Sequence, residues 1–429
     1  MKTIIFPGKN SWDKLCRRLL IDKIDLEDTV RGIIDRVRSE GDKAINYFSE
    51  QFEGIRPVNL KVSSDEIRES KAQVKDELKS AIDIARNNIE NFHSVQLQTE
   101  KVIETFKGVS CWRKSVGIER VGLYIPGGSA PLFSTVLMLG IPAKLAGCKK
   151  IIICTPPGKD GTINPLILYT ANLVGITDIY KIGGAQAIAA MAYGTESVPK
   201  VFKIFGPGNQ YVTKAKELVQ QDGIAIDMPA GPSEVLIIAD GNANPAFIAA
   251  DLLSQAEHGT DSQVVMLTNN KEMIERVKNE IEKQVQSLPR KDTALRALEN
   301  SKLIFFPSLD KCIDFSNLYA PEHLIINTYD PKALADRVIN AGSVFLGSYS
   351  CESAGDYATG TNHTLPTNRF ARNYSGVSTE SFLKKISFQE LTREGICNLG
   401  PTIELMAEAE SLNGHKNAVS IRLKSLKDD

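Results

Sequence analysis

The sequence has almost no net charge and no long apolar run, and these two shortages exclude several classes of protein. Lys and Arg number 51 against 52 Asp and Glu, which gives a formal net charge of −1. This balance argues against a nucleic-acid or membrane-surface partner that is held by bulk charge. No apolar run approaches the ~20 residues of a membrane span. The start, Met1–Pro7, is too short and too soon broken by proline for a signal peptide. We therefore expect a cytoplasmic protein.

Paired cysteines are missing as well. The seven cysteines are scattered, and no two of them form a C-x-x-C pair. An odd, unpatterned set in a chain of 429 residues indicates free thiols and argues against a disulfide framework or a zinc knuckle. Cys154 ends an apolar strand-like run, where burial explains the residue better than catalysis does.

Histidine is also scarce, because the chain has only five. Four of them stand close to carboxylates or amides, at His258, His323, His363 and His415. Neutral imidazole is the commonest metal ligand, and its pKa near neutrality suits proton transfer. The fifth, His93, lies away from any other candidate ligand and is predicted to be a surface or structural residue. The other four define a candidate site.

The chain is long enough for two or three domains, and its pattern changes along its length. Residues 1–116 are charged, and their apolar positions recur three and four apart over 13–20, 26–52 and 64–92, which predicts helices there. Residues 117–231 and 232–380 each alternate five short apolar strands with helical segments, which predicts parallel sheets covered on both faces. The strands of the second block are predicted at Glu234–Ala239, Gln263–Thr268, Lys302–Phe306, His323–Asn327 and Ser343–Leu346. Residues 381–429 return to a helical pattern.

These patterns predict an α/β protein with two incomplete Rossmann-like domains, each built on an open parallel sheet. We expect a helical N-terminal region, part of which packs on the second α/β domain. The helical N-terminal stretch and the helical C-terminal segment are both candidates for a dimerisation arm that grips a second subunit. The order of elements repeats between the two α/β blocks, whereas residue identity does not show a duplication.

Glycine-rich turns follow three predicted strands of the first α/β block, at Tyr124–Gly128, Gly183–Gln186 and Gly206–Asn209. In open parallel sheets ligands bind at the carboxyl ends of the strands, where glycines and helix N-termini let backbone N–H groups approach a phosphate. No complete G-x-G-x-x-G is present, and each turn alone is better explained as a plain connection. Three turns at one edge nevertheless favour a nucleotide cleft.

One of the four histidines ends a predicted helix. Asn244 is a good N-cap and Gly259 a good stop, so a helix is expected over 245–258. Gln255 and His258 lie three residues apart near its end, so their side chains can converge. Taken alone, a solvent-facing histidine at a helix end is the stronger interpretation.

Two later segments offer further acid, base and ligand groups. Glu322 and His323 open a predicted strand and are natural acid/base partners. They reach one site only if the turn there is not yet extended, because neighbouring strand residues point to opposite faces. The segment 353–366 is predicted to be a long loop, and such loops are usually functional. It offers Asp356 as an oxygen ligand and His363 as a nitrogen ligand or hydrogen-bond donor.

Seven blocks of sequence, in order over nearly the whole chain, resemble the histidinol dehydrogenase family. The blocks are Arg120–Gly128, Gly183–Ile188, Ile226–Glu234, Ser254–His258, Ala320–Leu324, Ser353–Pro366 and the pair Glu410 and His415. On their own, the last two residues would be explained as surface residues of the helical tail. Blocks of this length are far more specific than the short motifs above.

The resemblance implies a zinc-dependent enzyme that oxidises L-histidinol through L-histidinal to L-histidine with two NAD⁺, the last step of histidine biosynthesis. It implies one Zn²⁺ per subunit with four protein ligands, namely Gln255, His258, Asp356 and His415. The implied acid/base pair is Glu322 and His323. Substrate binding is implied for the zinc ligands and for His323, Ser233, His363 and Glu410. The implied NAD contacts are Tyr124, Gln186 and Asn209.

The resemblance also implies a division of labour between domains and subunits. Residues 117–231 would bind NAD, and residues 232–380 would hold zinc and substrate. The family is a homodimer whose C-terminal arm reaches the partner's site, so Glu410 and His415 would act in trans. The alternatives are a related zinc and NAD dehydrogenase of another small polar alcohol, a zinc hydrolase and a non-catalytic zinc-bridged dimer. A hydrolase has no use for a nucleotide cleft, and a structural zinc site would normally be closed and often cysteine-rich.

Overall fold

The computed structural model of the chain describes residues 1–18, 23–97, 100–127 and 131–427. Its strands are β1 (Lys2–Ile5), β2 (Ile103–Phe106), β3 (Val109–Gly117), β4 (Arg120–Tyr124), β5 (Lys150–Thr155), β6 (Asp178–Lys181), β7 (Lys203–Phe205), β8 (Ala225–Ile226), β9 (Glu234–Ala239), β10 (Gln263–Thr268), β11 (Lys302–Phe305), β12 (His323–Asn327), β13 (Ser343–Leu346) and β14 (Leu383–Leu391). Its α-helices are α1 (Trp12–Leu15), α2 (Lys23–Glu40), α3 (Asp42–Glu53), α4 (Ser64–Gln73), α5 (Asp76–Ser94), α6 (Phe133–Leu145), α7 (Pro165–Val174), α8 (Gly184–Tyr193), α9 (Gln210–Gln221), α10 (Pro245–Ala256), α11 (Lys271–Gln284), α12 (Lys291–Glu299), α13 (Leu309–Tyr319), α14 (Pro331–Ala335), α15 (Glu352–Tyr357), α16 (Arg393–Ala409) and α17 (Asn413–Ser425).

The first sheet contains five parallel strands in the order β6-β5-β4-β7-β8. The chain therefore winds outward from β4 in one direction and then continues on its other side, so the strand order reverses between β4 and β7. Strand residues such as Leu123 and Ile152 are fully buried because helices cover both faces. Helices α2, α8 and α9 pack on one face, and α6 and α7 on the other. Such uniform burial is typical of a parallel sheet between two helical layers.

The second sheet repeats this strand order. It runs β11-β10-β9-β12-β13, all parallel, with β1 added beside β11. Helices α10, α11 and α12 cover one face, and α13 packs on the other together with Trp12 of α1. The prediction of an α/β fold with two Rossmann-like open parallel sheets is confirmed.

The two terminal regions that were predicted to be helical also contain strands. Strand β1 extends the second sheet, and β2, β3 and β14 form a third, antiparallel sheet. Strand β14 is mostly exposed, and its apolar residues Ile386 and Phe388 recur at a spacing of two. The helical spacing of three and four does not reveal such a strand. The helical description of residues 1–116 and 381–429 is wrong to this extent, and the domain boundaries themselves stay a prediction.

The N-terminal helices are shorter than predicted. Gly41, with φ +57°, separates α2 from α3 where the sequence predicts one helix over 26–52. Extended backbone at Val74 and Lys75 likewise separates α4 from α5. Of the helix predicted over 13–20, the described residues up to 18 contain α1, and residues 19 and 20 lie outside the described residues. Within the described ranges, no helix is both long and apolar enough to cross a membrane.

His93 lies on α5 and is fully buried, so it is a structural residue and the alternative of a surface position is wrong. Its Nδ1 lies 3.1 Å from Gln96 Oε1, and its Nε2 has no hydrogen-bond partner in the described part of the chain. Burial lowers the pKa of this imidazole. The backbone carbonyl of His93 accepts from the Thr379 hydroxyl over 2.9 Å, which ties α5 to the segment before β14.

Candidate active site

The predicted acid/base residues lie at the amino end of β12, beside the amino end of its neighbour β9 in the second sheet. Glu322 precedes β12, His323 is its first residue, and Glu234 is the first residue of β9. The two strands pair in register, with His323 beside Val235. Helix α10 runs back from the carboxyl end of β9, so Gln255 in its last turn returns to the same edge. This edge is opposite to the one where open α/β sheets usually bind ligands.

Glu322 and His323 are held close together by the backbone of Glu234. The N–H of Glu234 donates to Glu322 Oε2 over 2.8 Å, and its carbonyl oxygen lies 3.2 Å from His323 Nδ1. Glu322 Oε2 is 3.6 Å from the same Nδ1. Both side chains are buried, and burial raises the pKa of Glu322 against the opposing effect of His323. The two neighbours reach one site because Glu322 lies just before the strand begins.

The other side of the His323 ring faces α15. Its Nε2 lies 3.3 Å from Asp356 Oδ1. Burial acts to lower the pKa of His323, but the carboxylates of Glu322 and Glu352 outweigh it, so the pKa is raised well above its ordinary value. For Asp356, burial acts to raise the pKa, but the hydrogen bond with His323 outweighs it and the pKa is lowered.

Three side chains beside this histidine could hold a metal ion. One ligand atom each from His258, Glu352 and Asp356 lies within 4.8 Å of the others. Gln255 Oε1 is buried and has no hydrogen-bond partner among the residues described, while its Nε2 donates to the Glu234 carbonyl oxygen. A buried oxygen without a partner is costly, so it fits a bound cation. Nitrogen and oxygen donors of these types suit zinc.

Glu352 is a site residue that sequence reasoning missed. It is the first residue of α15 and lies four positions before Asp356, so both carboxylates lie on one face of that helix. Its side chain is buried, and its Oε2 is without a partner in the ranges described. Burial, with the neighbouring Asp356, raises the pKa of Glu352 well above its ordinary value despite the opposing His323. The spacing of four was available, but the small residues of 353–366 favoured a loop, which is wrong over α15.

His363 connects this cluster to the first sheet. Its Nδ1 lies 2.9 Å from the Asp356 carbonyl oxygen, so Nδ1 carries the proton and donates. Its Nε2, 3.1 Å from Thr135 Oγ1, then accepts from the hydroxyl. Burial lowers the pKa of His363, which favours this neutral form. Thr135 is buried in the first turn of α6, and no sequence signal separates it from a packing residue.

The remaining predicted ligands lie at two places. Ser233 stands directly before β9, and its carbonyl oxygen accepts from the N–H of Gln263 over 3.1 Å. Glu410 follows the last residue of α16, and His415 lies in the first turn of α17, both exposed. The close group of metal-capable side chains found among the described residues of one chain does not include His415.

The glycine turns follow β4, β6 and β7 at the carboxyl edge of the first sheet. The Gly184 N–H donates to the Tyr124 hydroxyl over 3.1 Å. Both polar side-chain atoms of Gln186 are buried and unpartnered within the described residues, which fits a ligand at this edge. Asn209 caps α9 through its Oδ1, so a ligand contact would fall to its side-chain nitrogen. Gly128 of the first turn lies outside the described residues.

The third turn packs directly against the end of β4. Gly206 has φ +123°, and a Cβ there would lie 2.1 Å from the Tyr124 carbonyl oxygen. Asp227 fixes the turn, because its Oδ2 accepts from the Gly206 N–H over 2.8 Å and its other oxygen pairs with the buried ammonium of Lys216. The carboxyl ends of β4 and β7, between which the strand order reverses, are therefore held at a fixed distance from each other.

Glu53, which sequence reasoning also missed, reaches this edge from the end of α3. Its Oε1 accepts from the Gly183 N–H over 3.0 Å. Burial raises the pKa of Glu53 to about 7. The N-terminal region thus contributes a carboxyl group to the edge that the glycine turns form.

The two edges meet through α6 and the segment after α15. Asn362 Nδ2 donates to the Met138 carbonyl oxygen over 2.6 Å, one turn along α6 from the contact between Thr135 and His363. The carboxyl edge of the first sheet thus faces the amino edge of the second. Fold and site together define an α/β protein in which the glycine turns of one Rossmann-like sheet face the predicted acid/base pair and a metal-capable cluster on another.

Known proteins of the same class match this chain along its length. The family model described as histidinol dehydrogenase matches residues 17–423. A histidinol dehydrogenase of Bacteroides thetaiotaomicron is 57% identical over 427 residues and covers 100% of both chains. That of Escherichia coli O6:H1 is 53% identical over 402 residues, 93% of this chain and 92% of the other. The crystal structure of histidinol dehydrogenase from Elizabethkingia anophelis matches with a TM-score of 0.97 at 57% identity, over 100% of this chain and 99% of that one. The chain belongs to the histidinol dehydrogenase family and is an enzyme.

Proposed function

We propose that this enzyme oxidises L-histidinol through L-histidinal to L-histidine, with two NAD⁺ and one Zn²⁺ per subunit, as the last step of histidine biosynthesis in the cytoplasm. The observation that carries the proposal is the buried pair Glu322 and His323 beside Gln255, His258 and Asp356. A base, a second carboxylate and a set of nitrogen and oxygen donors in one small volume are what oxidation of a polar alcohol requires. The relatives named above are histidinol dehydrogenases by name, which supports the substrate.

The proposed zinc ligands are Gln255 Oε1, His258, Asp356 and the partner subunit's His415. The unpartnered amide oxygen fits this role, and so does His258, whose pKa is lowered by burial against the opposing charge of Asp356. A neutral imidazole is the form that ligates. When bound, the ion supplies Lewis acidity and a point on which the substrate is oriented, without redox chemistry of its own. Glu352 lies close enough to the same group to contribute a carboxylate oxygen.

His323 is the proposed base of the first oxidation. Its Nδ1 is enclosed by the Glu234 carbonyl oxygen, Gln255 Nε2 and the Glu322 carboxylate, so the nitrogen proposed to accept a proton is Nε2, on the side of Asp356. The alcohol proton passes to Nε2 while the carbinol carbon loses a hydride to NAD⁺. With the Asp356 carboxylate engaged by a cation, less negative charge faces the imidazole, and the neutral form that acts as a base becomes accessible.

Glu322 is the proposed base of the second step. Its Oε2 is fixed by the Glu234 N–H and lies beside His323, so the carboxylate is held at the reacting centre. It takes a proton from water as the oxygen adds to the aldehyde carbon. Once His323 has released its first proton to solvent, the anionic hydrate loses a second hydride to a second NAD⁺ and a proton to His323, which leaves the carboxylate of L-histidine. One water and two NAD⁺ are consumed for each alcohol.

The C-terminal arm supports the proposal of a homodimer with shared active sites. Leu405 and Met406 on α16 and Ile421 on α17 are 69%, 63% and 57% exposed. Large apolar side chains exposed together on two helices indicate a protein interface. Glu410 and His415 lie at the turn between these helices, so an arm laid on a second subunit could carry both to that subunit's cluster.

The experiment that tests the activity measures the NADH formed per histidinol consumed, with and without chelator. We expect a ratio of two, abolished by chelation and restored by zinc. A ratio of one would mean that the reaction stops at the aldehyde. Activity that survives complete removal of metal would contradict the zinc proposal.

The site assignment is tested with two subunit variants. His323→Asn should lower kcat sharply while zinc content is retained, whereas loss of zinc would show that His323 is a ligand. His415→Asn should lower zinc content. Mixing the two inactive proteins should restore part of the activity, because a hybrid dimer holds one intact site. No recovery in verified hybrids supplied with zinc would count against sites shared between subunits.

A further inference from the structure

Arg18 and Glu234 form a buried ion pair directly behind the acid/base residues. Arg18 Nε donates to Glu234 Oε1 over 2.8 Å, and Nη2 donates to Oε2 over 2.6 Å, so the ion pair is bidentate. The guanidinium lies 3.6 Å from the centroid of the Tyr319 ring and also donates to the carbonyl oxygens of Cys16 and Tyr319. The two side chains are 4% and 0% exposed. The pair joins residues 216 positions apart in the chain.

The backbone of Glu234 contacts three of the proposed active-site residues. Its N–H donates to the Glu322 carboxylate over 2.8 Å. Its carbonyl oxygen accepts from Gln255 Nε2 over 3.2 Å and lies 3.2 Å from His323 Nδ1. One residue therefore sets the direction of the carboxylate, the imidazole and the amide together.

The side chain of Glu234 adds to what fixes this first residue of β9. Residues 230–233 before it have no regular secondary structure, and the pairing with β10 begins at Glu234, with one further bond from the Gln263 N–H to the Ser233 carbonyl oxygen. Oε1 also accepts from the Asn368 N–H over 2.7 Å, which adds a third bond to the carboxylate. The pair is neutral as a whole, whereas an unpaired Glu234 would place a second negative charge beside Glu322.

We propose that Arg18 and Glu234 are positioning residues for the proposed acid/base reaction. Arg18 fixes the carboxylate of Glu234, and that carboxylate fixes the backbone N–H and C=O groups that orient Glu322 and His323. The inference rests on the proposed function, because it needs Glu322 and His323 to be the groups that move protons. It makes the N-terminal segment part of the support of the active site.

The test uses Arg18→Gln in the full-length protein with zinc supplied. Outer-shell partners of this kind typically change activity by about 10- to 100-fold, and we expect a fall in kcat of that order. The KM for histidinol should change less, and the pH profile of kcat should shift because the Glu322 and His323 environment changes. Arg18→Lys should recover only part of kcat, since an ammonium cannot span both carboxylate oxygens.

Two further variants separate positioning from folding. Arg18→Met combined with Glu234→Gln removes both charges, so its Tm should exceed that of Arg18→Gln, which leaves a buried charge unpaired. Its kcat should stay low, because the two bonds from Arg18 that fix the side chain at the start of β9 are then lost. Tyr319→Phe is the control: it keeps the ring and the carbonyl under Arg18 but loses the 2.9 Å hydrogen bond to Gln263. It should lower Tm and leave kcat unchanged.

The outcomes distinguish this inference from the proposed function. Wild-type kcat and an unshifted pH profile in the Arg18 variants, with Glu322→Gln and His323→Asn impaired, would overturn the positioning role alone. Wild-type kcat in Glu322→Gln and His323→Asn would overturn the acid/base roles and the inference with them. A low kcat with a shifted profile in both Arg18→Gln and the double variant supports the inference.

Discussion

Replacing Gly206 by alanine should disturb the carboxyl edge of the first sheet, where NAD⁺ is proposed to bind, more than replacement of an ordinary loop glycine would. Gly206 follows β7 and adopts φ +123°, a conformation that residues with a Cβ rarely adopt. The added methyl would also lie 2.1 Å from the Tyr124 carbonyl oxygen and 3.0 Å from its carbonyl carbon. Both are backbone atoms of the central strand β4, so the neighbour cannot rotate away as a side chain can.

The expected loss of unfolding free energy has two parts, the backbone strain of the residue and the steric overlap of its added methyl group. A left-handed or otherwise rare backbone conformation costs a residue with a Cβ about 1–3 kcal/mol. Forcing a methyl into a tightly packed place adds about 1–3 kcal/mol. Gly223 provides the matched control, because it has φ +89° in the same sheet domain and nothing within 4 Å of its added Cβ. Gly223→Ala should therefore show only the strain, and Gly206→Ala the sum of both.

The assay compares the two variants in unfolding free energy and in the KM for NAD⁺. We expect Gly206→Ala to be the less stable by about 1–3 kcal/mol. It should also raise the KM for NAD⁺, because a displaced Tyr124 loses its bond with the Gly184 N–H. Gly223→Ala should leave that KM unchanged. Equal stability and equal KM in the two variants would refute the reasoning from the close approach.

Three other substitutions test two parts of the candidate site and the stability of the fold around α5. Thr135→Val keeps the shape but removes the donor to His363 Nε2, so the KM for histidinol should rise by about tenfold or less, consistent with one hydrogen bond. Glu352→Gln should weaken zinc about 10- to 100-fold in a chelator competition, and unchanged affinity would remove Glu352 from the cluster. Burial lowers the pKa of His93, so its contribution to stability is complete above the unfolded pKa of about 6.5 and is lost as pH falls through the folded value. His93→Gln should therefore flatten the fall in Tm from about pH 7 to about pH 5, and parallel slopes would contradict this.

The sheets could be predicted from the sequence because their strands are buried on both faces. The predicted bounds of β9, β10 and β12 agree with the structure residue by residue, since dense apolar runs end abruptly in polar turns. Strand β14 could not be found in this way, because its residues are exposed and the partner strand β3 lies far earlier in the chain. The local pattern of apolar residues therefore predicts buried strands well. It predicts poorly an exposed strand that pairs with a distant part of the chain.

The residues of the candidate site also fall into those that the sequence could suggest and those that it could not. Gln255, His258 and Asp356 could be suggested from helix spacing and residue type, and the structure brings them to one edge. Glu352 was accessible to the same reasoning once α15 is known to be a helix. Arg18 was not, because its partner Glu234 lies 216 residues away and a lone arginine carries no local signal. Supporting residues act through the fold, so only the fold reveals them.

The use of opposite edges by two sheets of the same strand order has an electrostatic reason. At the carboxyl edge of the first sheet α8 and α9 begin, and helix N-termini with their free N–H groups favour anions such as the pyrophosphate of the proposed NAD⁺. At the amino edge of the second sheet α10 ends, and its last turn presents carbonyl groups together with Gln255. The negative end of a helix favours a cation. A dinucleotide and a metal ion therefore prefer opposite ends of such helices, and a fold that faces one edge with the other brings the two preferences to a single site. Thr135 and His363 lie where these edges touch, so the proposed hydride transfer from substrate to nicotinamide would take place near them.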